Sequence, residues 1–434
     1  MIEMQLGGLG FDPKNMSPIV LLRDAEERNF LPIWIGMFEA AAIAMELQEC
    51  RVCGDKKVQE LLNFHEQPIV HNLNDTKTPK YRKFPFVVGQ CFSCNFVSLM
   101  KPIDPKILYE NYFTISAWKN QPHVARLIDL IKQISHADLT QKVLDIGCND
   151  GSFLEALCEA GFTKIFGIEP AKDSYDLAVS KELNVEHDFF PNKHIKLDYY
   201  DIVISRHVLE HITDLQSFFA GINLCIKDDG ILVIEIPDSE ALFYRLDYAL
   251  WEEHVNYFTY NTLKLLLNMH GFEIIHFEKT LFAGVALTVF AQKASYKFAV
   301  SENGSDGKLI QQYKDKFPIF REALHHFIDK KEEVFVYGCG ARSSTFVNLF
   351  DLSSITSFVD DQIEKQNKFV PGYDIPIVPW SSNLSSKYFL LGVNSENECK
   401  VMQKRNLNKI NSVSILPPSK NLPKFWQKLV NAGI

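Results

Sequence analysis

Between residues 142 and 292 short apolar runs alternate with helical patterns, and this alternation leaves few folds open. The runs are Lys142–Gly147, Lys164–Glu169, Asp201–Ser205, Gly230–Ile236, Phe272–Phe277 and Val285–Gln292. Strands separated by helical segments form βαβ units, and such units build a parallel sheet. Only Thr280–Gly284 joins the last two runs, too little for a crossover helix, so these two are predicted to pair antiparallel. The expected class is α/β, with a Rossmann-like domain that begins near Lys142 and occupies residues 101–300.

The remaining chain divides around that block. Residues 1–48 read as strand, turn, strand and an amphipathic helix over Met37–Leu47. Residues 49–100 place two Cys-x-x-Cys pairs among short aromatic-rich strands. The polar, turn-rich Ser301–Gly307 reads as a linker, and residues 301–434 begin a second α/β pattern beyond it. There Glu333–Tyr337 runs into the turn Gly338-Cys339-Gly340, followed by a helical segment and by strands at Ser354–Val359 and Tyr388–Val393.

A chain of 434 residues with 46% hydrophobic content is long enough for several domains, each with its own core. A net charge of −9 excludes general affinity for nucleic acid, whose phosphates require a basic surface. No apolar run approaches the roughly 20 residues of a membrane span. The N-terminus has no basic stretch leading into an apolar one, so no export signal is expected. Nine cysteines, four paired and five scattered, are no disulfide framework and suit a reducing compartment. A cytoplasmic protein is expected.

The segment Val143–Leu154 carries the most chemistry. An apolar strand ends in Asp145, turns at Gly147 and Gly151, and enters a helix. Glycines there allow close backbone approach to a ligand at the carboxyl end of a parallel strand, where open α/β sheets bind ligands. With Asp145, Asn149 and Asp150 the loop is acidic, which opposes a pyrophosphate and favours a ligand bearing an ammonium and a sulfonium. Glu169 closes the next strand, placed to accept ribose hydroxyls. Asp188, Phe189 and Phe190 follow at the third strand end, an acid with aromatic faces for adenine. This ordered set resembles the class I S-adenosylmethionine (SAM)-dependent methyltransferases.

Cys50 and Cys53, with Cys91 and Cys94, offer four thiolates, the complement of a closed tetrahedral zinc site. Such a zinc staples a small domain and has no open position for catalysis.

Residues 49–420 together resemble the nucleotide-deoxysugar C-methyltransferases. The zinc end matches through Cys50–Gly54, Glu66–Pro68 and Gly89–Cys94, and the middle through Asp145–Leu154. The C-terminal part matches through Tyr337–Ala341, Asn348, Val359–Asp361, Val370–Gly372 and Ile375–Val378. The resemblance implies a small zinc domain, a SAM-binding domain and a Rossmann-like C-terminal domain. It also implies a Tyr-His-Glu-His stretch whose last histidine is the base. That stretch falls on Trp251–His254, keeping Glu253 and His254 and changing the first two positions. An upstream Asn/His pair falls on His207 and His211, the second retained.

Carbon methylation beside a keto group needs a base, a donor to the enolate oxygen and an electrophilic methyl held in line. By resemblance His254 is the base, Glu253 orients that ring or binds a hydroxyl, and His211 and His207 donate to the oxyanion. Tyr112 is a further candidate, and Gly338 and Gly340 are expected to help hold the diphosphate of a nucleotide-linked sugar. The rivals are an O- or N-methyltransferase of another small molecule and a non-catalytic zinc scaffold. Residues 1–48 resemble the opening of the bifunctional nuclease family through Pro18–Asp24, Glu27, Arg28 and Leu31–Gly36. Only part of that domain is present, and no nuclease activity is inferred.

Overall fold

The computed structural model describes residues 4–12, 17–24, 29–36, 49–76, 82–108, 121–136, 138–294 and 306–432. Tyr112, the helix expected over Met37–Leu47 and most of the expected linker lie outside them.

The N-terminal segment is a three-stranded antiparallel sheet of β1 (Met4–Asp12), β2 (Ser17–Asp24) and β3 (Phe30–Trp34). Two strands were expected. The third, Phe30–Trp34, contains Pro32, which an edge strand tolerates because its outer N–H side pairs with nothing. Next come β4 (Val58–Pro68), β5 (Lys83–Cys91) and β6 (Val97–Leu99).

After helix α1 (Val124–Ile134), the chain lays down β7 (Lys142–Ile146), α2 (Ser152–Glu159), β8 (Lys164–Ile168), α3 (Lys172–Ser180) and β9 (Val185–Glu186). It continues through β10 (Tyr200–Arg206), α4 (Leu215–Cys225), β11 (Ile226–Pro237), β12 (Asn256–Tyr257), α5 (Tyr260–Met269), β13 (Phe272–Thr280) and β14 (Ala286–Lys293). The sheet order is β13-β14-β11-β10-β7-β8-β9. All its pairs are parallel except those of β14 with β11 and β13, so the predicted antiparallel pair is observed. Strand order reverses between β7 and β10, which opens a crevice at their carboxyl ends.

Strand β12 leaves this sheet and pairs with β6, completing the order β12-β6-β5-β4. The zinc segment keeps only a small cluster of its own, Ile69, Ile103 and Leu108, and shares the rest of its core with its neighbours. Leu61, Phe64 and Phe86 pack with Tyr313, Phe317 and Phe350 of the C-terminal part. Cys50, Val52, Phe96 and Met100 pack instead with Leu144, Phe258 and the rest of the central sheet. A sheet this short draws cover on both faces from its neighbours.

The C-terminal part opens with α6 (Asp306–Ile328) and holds β15 (Val334–Tyr337), α7 (Ala341–Leu349), β16 (Ser357–Val359), β17 (Phe369–Val370), β18 (Ile375–Val378), β19 (Tyr388–Leu391) and β20 (Ser412–Ser414). Its sheet order is β17-β18-β16-β15-β19-β20, parallel except at β17. The far end of the expected linker is already ordered. The buried Asp306 carboxylate accepts from Thr259 Oγ1 at 2.5 Å and Asn261 Nδ2 at 2.8 Å. Arg342 of α7 donates to Asp247 at 2.7 Å and to Pro417 O at 3.2 Å, both buried, locking the two α/β parts together. No helix among the described residues is long and apolar enough to cross a membrane.

Candidate active site

The crevice between β7 and β10 is lined as the sequence suggests, with a different division of labour. Asp145 ends β7 with 2% exposure, and burial pushes its carboxyl up to about 7 against the pull of Arg206. Gly147 takes φ +71°, and a Cβ there would stand 2.5 Å from Val208 Cγ2. Glu169, just past β8, is buried and accepts from Asn149 N and Ala171 N, both at 2.8 Å. Burial raises its pKa, and the two amides oppose that rise.

Asn149 and Asp150 act within the loop. Asn149 Oδ1 accepts from Asp150 N at 2.7 Å and Ser174 Oγ at 3.1 Å, while Asp150 Oδ1 caps Ser152 N at 3.1 Å. Asp188 accepts from Phe189 N at 2.8 Å, and Phe189 lies 63% exposed three residues beyond β9. Carboxylates at successive strand ends beside an exposed aromatic face fit a cationic ligand with a ribose and an adenine ring, as SAM is.

Adjacent to this crevice two loops meet, one after β10 and one before β12. His211 and His254 pack edge to face with ring centroids 5.0 Å apart, and Trp251 lies 4.3 Å from His254. His254 is buried, and burial together with the charges of His211 and His207 drives its pKa well below 6.5. It is a neutral imidazole at neutral pH. His211 Nδ1 donates to the Glu253 carbonyl at 2.9 Å, which leaves Nε2 for other partners. Glu253 thus orients His211 through its backbone, whereas orientation of His254 was expected. Its carboxylate meets His71 Nδ1 at 2.8 Å, and that ion pair outweighs burial and holds it below the usual range. Glu252 is buried against Val70 N at 2.7 Å, and burial pushes it up to about 7.

His207 does not point a free nitrogen at a substrate. Nε2 lies 3.1 Å from Glu235 and Nδ1 3.4 Å from Glu210. Burial pulls its pKa down, yet the two carboxylates raise it to about 9, so it is an imidazolium. Glu235 is fully buried and also meets Arg206 Nη2 at 3.0 Å, His123 Nε2 at 3.1 Å and Thr288 Oγ1 at 3.1 Å. Burial pushes this carboxyl up, but the cations, Arg206 foremost, hold it well below the ordinary range. Glu210, His211 and His254 each bring a possible ligand atom within 4.8 Å of the others. The positive charge beside Glu210 is already supplied by His207.

Sequence reasoning missed Arg206, Glu235, His123 and His71. A signal existed for one pair: Arg206 and Glu235 are register partners on adjacent strands, charged residues closing or interrupting apolar runs. His71 and His123 had none.

The four cysteines converge. Sγ atoms of Cys50 and Cys94, and of Cys53 and Cys91, lie 3.6 Å apart, and all four fall within 4.8 Å. Tetrahedral zinc with ~2.3 Å bonds sets sulfurs about 3.8 Å apart, so the site fits the ion. Each knuckle ends in a left-handed residue, Gly54 at φ +72° and Asn95 at φ +63°.

The glycine turn of the C-terminal part does not fit a phosphate. Cys339 N donates to Asp360 Oδ2 at 2.7 Å, Gly340 N to Ser343 Oγ at 3.0 Å and Gly338 N to Val359 O at 2.8 Å. Its amides are engaged, and a carboxylate stands where the anion would go.

The switch-point sheet, its acidic strand ends and the buried histidine pair define a SAM-dependent methyltransferase. Family models match in order: "Putative zinc binding domain" over residues 50–109, "Methyltransferase domain" over 117–277 and "C-methyltransferase C-terminal domain" over 306–403. "Bifunctional nuclease domain" matches residues 20–54. The chain is 24% identical to C-methyltransferase NovU of Streptomyces niveus across 80% of its length and 90% of that protein. It is 29% identical to a ubiquinone biosynthesis O-methyltransferase of Actinobacillus pleuropneumoniae, over 27% of this chain and 55% of that one. A SAM-dependent methyltransferase structure from Archaeoglobus fulgidus covers 44% of this chain and 100% of its own, at 22% identity and a TM-score of 0.34. The chain is a SAM-dependent methyltransferase, similar over most of its length to a C-methyltransferase.

Proposed function

We propose that the enzyme methylates a carbon beside the carbonyl of a nucleotide-linked keto-deoxysugar. The observation that carries this reading is His254, a buried imidazole packed on His211 of the loop after β10 and kept neutral there. A carbon acid needs such a group, since the nucleophile forms only when a base removes the proton. His254 takes that proton, and the electron pair delocalises onto the carbonyl oxygen. His211, with Nδ1 committed to the Glu253 carbonyl, is the side chain that faces that oxygen through Nε2. The His207 imidazolium acts through its charge, holding His254 unprotonated. Asp145 and Glu169 hold the cofactor, with Asp188 and Phe189 around its adenine. Bound SAM supplies the electrophilic methyl group to the carbanion. Cys50, Cys53, Cys91 and Cys94 hold a structural zinc, and the free cysteines fit a cytoplasmic enzyme.

The test is proton exchange with deuterated solvent, without SAM, on thymidine-diphosphate-linked keto sugars, monitored by mass. Exchange by the wild type that is lost in a folded His254→Ala variant supports the reading. Methyl transfer to an acceptor oxygen or nitrogen, with no carbon exchange, refutes it and establishes the O- or N-methyltransferase reading that the ubiquinone-pathway relative suggests.

A further inference from the structure

The loop that carries His254 is held from outside its own sheet, and one of its holds comes from the metal knuckle. Arg51 lies between Cys50 and Cys53 in the sequence. Its guanidinium donates through Nη1 to Val255 O at 3.0 Å and through Nη2 to Leu99 O at 2.8 Å. Leu99 N also donates to Val255 O at 3.0 Å, and the next residues, Asn256 and Tyr257, pair with Ser98 and Val97. Val255 N, in the preceding peptide, donates to Glu210 O at 2.8 Å. Val255 is thus held at its carbonyl by Arg51 and Leu99, and its N–H, in the peptide that adjoins His254, reaches the residue next to His211.

We infer that Arg51 is a positioning residue through which the occupied zinc knuckle sets the placement of His254 against His211. This rests on the reading of His254 as the base. A planar fork with two donors bridges carbonyls on two different segments at once, which the single ammonium of lysine does not do. The knuckle has a fixed shape only while its four sulfurs share an ion; released from it, Arg51 no longer fixes the height of the Val255 peptide. The zinc segment grips the same loop at its start, where Val70 N meets Glu252 and His71 meets Glu253. Those contacts involve side chains of the loop, whereas Arg51 holds the backbone adjoining the imidazole. Geometry errors of about 1 Å in a catalytic group lower rates on the order of 100-fold, so the arrangement makes metal content a determinant of turnover.

The experiment uses full-length protein labelled with 5-fluorotryptophan, the Trp251 resonance being assigned with Trp251→Phe. Trp251 packs on His254 and reports its placement without turnover. Arg51→Met and Arg51→Lys are compared with wild type for zinc content, SAM affinity by calorimetry and the fluorine spectrum. The expected result is one zinc per chain, SAM affinity within about twofold of wild type and a displaced or broadened Trp251 signal. Partial recovery is expected in Arg51→Lys, and chelation of wild type should reproduce the displacement. With a thymidine-diphosphate-linked 4-keto-6-deoxyhexose, turnover should fall about 10- to 100-fold in Arg51→Met. An unchanged Trp251 signal in both zinc-loaded variants overturns the inference. A folded His254→Ala that still turns over refutes the base reading instead, leaving the fluorine spectrum to decide independently whether Arg51 places the ring.

Discussion

Replacing Glu235 by glutamine removes one negative charge from the buried cluster while preserving its shape. In the wild type His207 lies near 9 because Glu210 and Glu235 flank it in a site whose burial alone would lower it. The rise from 6.5 to about 9 is worth about 3 kcal/mol at ~1.4 kcal/mol per unit. For a histidine with a raised folded pKa, that stability is fully present below the unfolded value. It is lost as pH climbs through the folded one. The wild type should therefore weaken between about pH 7 and 9 by up to ~1.4 kcal/mol per unit from this group. In Glu235→Gln the His207 midpoint should drop by at least about one unit, since only Glu210 remains. The variant should be less stable by about 3 kcal/mol near pH 6, and the gap should narrow above pH 9, leaving the share that belongs to Arg206. Urea unfolding across this range gives the difference, in which titrations common to both proteins cancel. Carbon-13 labelled histidine spectra, assigned with His207→Gln, give the midpoint directly. A stability gap independent of pH, with an unmoved His207 midpoint, would refute the reasoning.

Gly147→Ala forces a side chain into a left-handed position against Val208, so thermal unfolding should show a loss of about 2–3 kcal/mol. Glu169→Ala strands two backbone amides and removes the proposed ribose acceptor. Calorimetry should record SAM affinity weakened by about 10- to 100-fold, and a change below twofold would deny that role. Arg342→Leu leaves Asp247 buried without its cation and should destabilise by about 3–5 kcal/mol in urea, with much of the loss recovered when Asp247→Leu is added. Chelator treatment should remove one zinc per chain, measured by elemental analysis, with loss of thermal protection in the segment around β4–β6.

The central sheet was legible because its signals are local. Apolar runs such as Val143–Ile146 need both faces buried, and the five-residue gap after Thr280 dictated an antiparallel return. The cysteine knuckles were legible because four thiolates at this spacing have few other uses. What escaped notice depends on register and on distant segments. Nothing near His71 announces that it meets Glu253, and His123 reaches Glu235 only because α1 starts beside the carboxyl end of β11. Asn256 and Tyr257 directly follow the Trp251–His254 stretch in the sequence, yet their partners lie in the zinc segment. The glycine turn at Gly338 illustrates the reverse case. Its spacing suggested an anion, but Asp360, not contiguous with it, takes the amide.

The return of β12 to the zinc sheet bears on synthesis. A chain emerging from the ribosome presents Cys50 to Cys94 early and can capture its ion at once, but β6 then waits with an open edge. Ser98 finds its partner only after Asn256 has been made, by which time the strands from β7 to β11 have already emerged. The sheet that looks finished by Leu99 thus closes only when Asn256 and Tyr257 have been made. Its unpaired edge is a place where a stalled or truncated chain would seek another strand.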